Sequence, residues 1–100
     1  MPYFTVRMEL HDPAVGTDYT NLHNEMMKVG FLRKIYSVTE SKWFHLPTAL
    51  YHGESTNMSD ARTKAMTAGS AVVKLSKNPF TFELVVMDGI PWTHYGLKPV

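Results

Sequence analysis

Histidines and a few basic side chains are the residues of this 100-residue chain best suited to chemistry. No HxH or HxxxH spacing joins the histidines, and the chain contains no cysteine. Protein zinc sites commonly use closely spaced His and Cys ligands. We therefore predict no metal site and no cofactor, and we interpret most of the imidazoles as surface or half-buried groups. The five histidines are His11, His23, His45, His52 and His94.

His23 is the histidine that best fits a catalytic role, because it lies in a predicted helix beside Leu22. An imidazole titrates near neutral pH and can act as a general base. A ribonuclease needs such a base for the ribose 2′-hydroxyl and a cation for the phosphate. His23 with Arg33 or Arg7 would supply both. An exposed helical histidine without a catalytic role is the competing interpretation.

The polar face of the first predicted strand suggests a binding surface, since Tyr3 and Arg7 lie two strand repeats apart. Arg33 and Lys34 fall on the second predicted strand, where one of them can face the same way. Aromatic and cationic side chains on an open sheet are how many RNA-binding domains stack bases and hold phosphates. We predict that these four residues contact single-stranded RNA. The RNP-type aromatic motif is missing, so a dimer face and plain solvation remain as alternatives.

Asp12 follows the first predicted strand and gives a third hypothesis. A carboxylate at a strand end can bind a divalent cation or act as a base, and two copies would meet in a symmetric dimer. That arrangement would make a metal-dependent nuclease. The simpler interpretation is a loop-starting aspartate before Pro13.

Composition restricts the class of protein more than it restricts the function. The net charge is +1, from 10 Lys and Arg against 9 Asp and Glu, so no global field attracts nucleic acid or an anionic membrane. No apolar run approaches the roughly 18 residues that a membrane span requires, and no charged-then-apolar leader opens the chain. Together with the missing cysteine, this predicts a soluble cytoplasmic protein with no membrane partner.

Apolar periodicity predicts four strands and two helices. Apolar and polar residues alternate at both ends of the chain, as in strands with one buried face. Asp18 and Asn57 are suitable N-caps for the helices, Gly30 suits a left-handed helix end, and Pro47 predicts a break or an edge position. The predicted strands cover residues 3–11, 31–38, 43–52 and 80–87, and the first helix covers residues 19–29.

The resulting order, βαββαβ, predicts an α+β ferredoxin-like fold. Right-handed crossovers would place the first and third strands in the middle of a four-stranded antiparallel sheet, with both helices on one face. We predict one domain over residues 1–88. Residues 89–100 contain Trp92, Tyr95 and Leu97, and we expect this extension to pack on the domain or on a partner.

The chain also resembles the GhoS-type small bacterial proteins over about residues 3–88. The resemblance rests on the opening strand, the second capped helix and the segments Lys28-Val29-Gly30-Phe31 and Leu46-Pro47-Thr48-Ala49-Leu50-Tyr51. The best-known member of that family is an antitoxin that cleaves the messenger RNA of its toxin. The resemblance implies a ferredoxin-like fold, akin to the small CRISPR adaptation nuclease, and an RNA-binding, endoribonuclease function. A helical basic position of the family falls at His23, and the strand-end acidic position of the CRISPR relative falls near Asp12.

Overall fold

The chain forms six strands and two helices in a computed structural model that describes residues 1–100. In chain order they are β1 (Tyr3–Leu10), α1 (Gly16–Lys28), β2 (Phe31–Leu32), β3 (Lys34–Ser37), β4 (Lys42–His45), β5 (Leu50–Glu54), α2 (Met58–Leu75) and β6 (Phe82–Asp88).

A four-stranded antiparallel sheet in the order β2-β5-β1-β6 organises the molecule. Val6, in the centre of β1, lies opposite Tyr51 of β5 on one side and Val86 of β6 on the other. The predicted α+β class, with two helices and a four-stranded antiparallel sheet, is confirmed. A second sheet, which contains only β3 and β4, was not predicted.

The core lies between one face of the larger sheet and the two helices. Alternation along β1 buries its apolar side chains and leaves Tyr3 and Arg7 exposed on the other face. α1 contributes Leu22 and Met26, at helical spacing, and both are fully buried. Apolar side chains of β6 pack against this core. The buried cluster is Phe4, Val6, Met8, Leu10, Leu22, Met26, Phe31, Tyr51, Ala61, Ala65, Ala68, Val72 and Phe80.

At the start of each helix a polar side chain accepts a hydrogen bond from a free backbone N–H. Asn57 caps α2 as predicted, since its side chain accepts a 2.8 Å hydrogen bond from the Asp60 backbone N–H. α1 begins at Gly16, three residues before the predicted start. Asp18 is therefore not the N-cap but lies in the first turn, where its carboxylate accepts a 2.9 Å hydrogen bond from the Val15 N–H.

The predicted long strands over residues 31–38 and 43–52 are wrong as continuous elements. The chain bends at Arg33, leaves the four-stranded sheet as the β3–β4 hairpin, and returns as β5. The Leu46 N–H donates a 2.8 Å hydrogen bond to the Arg33 carbonyl and closes the base of the hairpin. Pro47 has no N–H to donate, and Ala49 has a φ of 73°, so strand geometry cannot pass through this segment.

The C-terminal segment, residues 89–100, lies along the hairpin. The His45 N–H donates to the Lys98 carbonyl at 2.9 Å, and the Val100 N–H donates to the Trp43 carbonyl at 3.0 Å. The His94 ring lies 4.5 Å from the Phe44 ring, which fixes the middle of the segment. The segment thus extends the smaller sheet beyond β4.

Neither helix is long and apolar enough to cross a membrane.

Candidate functional site

A groove of about 260 Å³ lies where α1 meets β2 and the base of the hairpin. It gathers side chains that are distant in sequence because the chain bends at Arg33 just after β2, so that Arg33 and Lys34 come beside the helix. His23, Arg33, Lys34 and His45 supply its nitrogen groups. The full lining is His23, Asn24, Met27, Phe31, Leu32, Arg33, Lys34 and His45.

A short hydrogen bond to Tyr51 holds the His23 ring in place. Its Nδ1 atom lies 2.6 Å from the hydroxyl oxygen of Tyr51, which is fully buried in β5. Burial raises the pKa of Tyr51 to about 12, so the phenol keeps its proton at neutral pH. When His23 Nδ1–H donates to the Tyr51 oxygen, His23 Nε2 carries a lone pair. In that tautomer Nε2 is the nitrogen that can accept a proton.

The surroundings of His23 favour its neutral form by lowering its pKa. Burial lowers its pKa, and the nearby positive charge of Arg33 lowers it further. A neutral imidazole at neutral pH can accept a proton, whereas an imidazolium cannot. The electrostatic surroundings of His23 therefore suit a general base.

Arg33 brings an unused hydrogen-bond donor to the same place. Its Nε atom is buried and has no hydrogen-bond partner. A buried donor without a partner is costly, and native structures seldom leave one unless water or a ligand completes it. The Arg33 side chain lines the groove, so an anionic oxygen bound there would meet the guanidinium charge.

The structure separates the residues predicted to bind RNA. Arg33 lies in the groove with His23, whereas Tyr3 and Arg7 lie on the sheet face turned away from the core. Lys34 connects the two regions, since it lines both the groove and a larger cleft that Tyr3 also lines. The Nη2 atom of Arg7 pairs with Glu9 Oε1 at 2.7 Å, so its charge is partly neutralised.

Asp12 and His11 lie outside the groove. Asp12 is exposed in the turn that follows β1. His11 contacts β6, with Nε2 3.1 Å from Glu83 Oε1 and Nδ1 2.8 Å from the Thr81 hydroxyl oxygen. No group of three or more His, Asp or Glu side chains is placed to hold a metal ion.

Sequence reasoning missed Tyr51 and a second, larger cavity. Tyr51 lies in the predicted strand over residues 43–52, and the sequence does not show which face of the sheet its side chain takes. Residue spacing therefore gives no sign that Tyr51 contacts His23. The larger cavity, of about 590 Å³, lies between the four-stranded sheet, the hairpin and the C-terminal segment. The aromatic residues Tyr36, Trp43 and Trp92 line this cavity. Their presence in the sequence is the feature that could have indicated it.

Comparison with known proteins adds no family assignment. No protein-family model matches the chain, and a search of curated proteins found no match. The resemblance to GhoS-type proteins therefore stays a prediction. What the site offers by itself is a neutral imidazole, hydrogen-bonded to a phenol, in a groove that an arginine also lines.

Proposed function

We propose that this protein binds single-stranded RNA at the His23 groove and cleaves it without a cofactor. The observation that carries the proposal is that His23, whose pKa is lowered, and the guanidinium of Arg33 line the same groove. A base for a hydroxyl and a cation for a phosphate are the two groups that RNA cleavage by its own 2′-hydroxyl requires.

The reaction follows from those two groups. His23 Nε2 takes the proton of a ribose 2′-hydroxyl, and the 2′-oxygen forms a bond to the adjacent phosphorus. The guanidinium of Arg33 stabilises the negative charge that grows on the non-bridging oxygens. The bond from phosphorus to the 5′-oxygen then breaks, and His45, which lines the same groove, is the group we assign to protonate the leaving oxygen. The products are a 2′,3′-cyclic phosphate and a free 5′-hydroxyl.

We also propose that the fold has the ferredoxin-like topology and that the chain is related to the GhoS-type proteins. The strand order β2-β5-β1-β6 supports a ferredoxin-like topology, with the β3–β4 hairpin as an insertion between the second and third strands of the larger sheet. In that arrangement the protein is a GhoS-like endoribonuclease of the cytoplasm that acts as an antitoxin. Such a protein would lower the amount of a toxin by cutting its messenger RNA.

A second candidate function is a non-catalytic homodimeric interaction module. Its support is the open face of the sheet, where Val85 and Met87 of β6 are 55% and 45% exposed. Neighbouring exposed apolar side chains on a flat sheet face are typical of an interface. In this case two copies would pack through β6 and the exposed side of β1.

The experiment that tests the proposal changes the chemistry of the substrate. Purified protein is mixed, in EDTA, with end-labelled single-stranded RNA and with two matched strands that carry 2′-deoxy or 2′-O-methyl sugars throughout. We expect cleavage of the RNA alone, with 2′,3′-cyclic phosphate ends. Cleavage of the modified strands, or cleavage that stops in EDTA and returns with magnesium, would contradict it. A lack of any cleavage, with a stable dimer in light scattering, would favour the interaction module.

A further inference from the structure

A cleft of about 590 Å³ lies beneath the β3–β4 hairpin. This volume lies within the range of small-molecule sites, which enclose about 300–1,000 Å³. Nine of its fifteen lining residues are hydrophobic, and a few charged groups are placed among them. The mixture of apolar walls and few polar groups is typical of a ligand site rather than of accidental space.

The walls of the cleft present aromatic faces. Tyr36 and Trp43 meet edge to face, with ring centroids 5.3 Å apart, and each is about two-fifths exposed. On the sheet side, Tyr3 stacks on His52 with centroids 5.1 Å apart and planes 8° from parallel. Burial lowers the pKa of His52, so its ring is neutral and stacks as an aromatic group. Trp92 of the C-terminal segment also lines the cleft. Such surfaces favour a flat aromatic ligand, because each exposed ring can stack on it.

Glu54 adds a directional group to these apolar walls. It lies opposite Tyr3 in the β1–β5 register and lines the cleft. Hydrogen bonding to Glu54, together with the charge of that carboxylate, raises the pKa of Tyr3. An ionised carboxylate only accepts hydrogen bonds, and its two oxygens match two adjacent N–H donors. Guanine presents such a pair, N1–H and N2–H, on its Watson–Crick edge, whereas adenine presents an acceptor at N1.

Two lysines supply the opposite charge at the same cleft. Lys34 Nζ lies 4.9 Å from the centroid of the Trp43 ring, and Lys64 of α2 also lines the cavity. A nucleotide has the complementary distribution of charge, with a neutral flat base and an anionic phosphate. Lys34 also lines the His23 groove, so the cleft and the groove share a cationic side chain.

We propose that the cleft is a guanine-binding subsite, in which the aromatic walls stack the base and the Glu54 carboxylate accepts its N1–H and N2–H. This role of the cleft rests on the proposed function, since the guanine would belong to the RNA whose phosphate enters the His23 groove. A second copy of the chain is the competing occupant. The cleft is concave and carries both a carboxylate and ammonium groups, which suits a small polar ligand better than a flat self-complementary contact.

The two tryptophans of the chain, Trp43 and Trp92, both line the cleft and report binding by their fluorescence. The probes are guanosine, inosine and adenosine 5′-monophosphates, titrated into the full-length protein. We expect guanosine monophosphate to bind most tightly, so that it quenches the fluorescence at the lowest concentration. Inosine monophosphate lacks the N2 amine and should bind about tenfold more weakly, with adenosine monophosphate weaker still.

Glu54→Gln tests the assigned group. Glutamine keeps one acceptor but adds an N–H₂ that opposes the guanine donors, so we expect the preference for guanosine over inosine monophosphate to disappear. Glu83→Gln, an exposed carboxylate on β6 outside the cleft, is the matched control and should keep that preference. Equal binding of the three nucleotides by the unaltered protein, or no response to any of them, would overturn the proposal. A stable dimer, detected by light scattering, in which both tryptophans are buried would also overturn the proposal.

The same titration separates this inference from the proposed function. His23→Ala should retain the binding of guanosine monophosphate while losing RNA cleavage, because His23 does not line the cleft. If guanosine monophosphate binds selectively and no RNA is cut, the subsite holds and the ribonuclease proposal fails. If RNA is cut at His23 with no guanine preference in binding, only the subsite fails.

Discussion

The Nδ1 atom of His23 lies 2.6 Å from the hydroxyl oxygen of Tyr51, although 28 residues separate the two in the chain. One side chain is half-buried on α1, and the other comes from the buried face of an inner strand, β5. The contact therefore links the core of the protein to the groove. It makes the orientation of the imidazole depend on the packing of the fold.

Replacing Tyr51 by phenylalanine should separate positioning from stability. Tyr51→Phe keeps the buried ring and removes only the hydroxyl that orients His23, so we expect kcat to fall about tenfold or more while KM changes little. The lost hydrogen bond should cost about 1 kcal/mol in unfolding free energy. Tyr19→Phe is the control, because the Tyr19 hydroxyl bonds the Leu10 backbone and not His23. Equal losses of activity in both variants would contradict a positioning role for Tyr51.

The pH dependence of cleavage should report the lowered pKa of His23. The neutral form of His23 is the base, so the rising limb of kcat/KM against pH should have its midpoint below 6.5, the ordinary histidine value. The reaction also needs a protonated general acid, so the profile should be bell-shaped. Removing the positive charge in Arg33→Gln should move the midpoint upwards, and NMR titration of the His23 ring protons provides the same pKa without catalysis. A midpoint above 6.5 in the unaltered protein would be inconsistent with this electrostatic arrangement.

The two arginines predicted to hold RNA should differ in their effect on affinity. Arg33 has a buried, unpartnered Nε, whereas Arg7 is already paired with Glu9. We expect Arg33→Gln to weaken RNA binding about tenfold and to lower the slope of affinity against salt by about one. Arg7→Gln should cause a smaller loss. Fluorescence anisotropy over a salt series measures both quantities, and the reverse order would place the RNA on the open sheet face.

Gly53 should tolerate no side chain, because β2 and β5 approach closely there. A Cβ on Gly53 would meet the carbonyl oxygen of Gly30 and lie 3.0 Å from its carbonyl carbon, both backbone atoms that cannot rotate away. We expect Gly53→Ala to lower the unfolding free energy by about 1–3 kcal/mol. Gly16→Ala has open space and is the control. Denaturation midpoints compare the two, and a fully stable Gly53→Ala variant would show that this edge of the sheet is looser than described.

The larger sheet was predictable because its signals are local. Alternation at residues 3–11 and 80–87 identified β1, β6 and their buried faces, and Asn57 marked the start of α2. The division of the central hairpin was not predictable in the same way. Aromatic and β-branched residues favour strands on both sides of Arg33, and only the contacts of the folded chain show that β2 and β3 belong to different sheets.

The sequence named two residues of the candidate groove but could not predict how they are arranged. Helical placement and chemistry singled out His23, and Arg33 was one of two cations named for the phosphate. Their proximity depends on the bend at Arg33, and the role of Tyr51 depends on register with Val6. Register is set by the packing of the whole sheet rather than by local sequence, so neither fact has a signal in the spacing of residues.

The measurement that tests the central claim most directly is single-turnover cleavage of labelled single-stranded RNA by the unaltered protein and by His23→Ala, with EDTA present. His23 is half-buried on α1, so the variant should fold, which circular dichroism verifies. We expect the unaltered protein to cleave the RNA and the variant to lose about 100-fold or more of the rate, as removal of a general base does. Equal rates for the two proteins would contradict a catalytic role for His23.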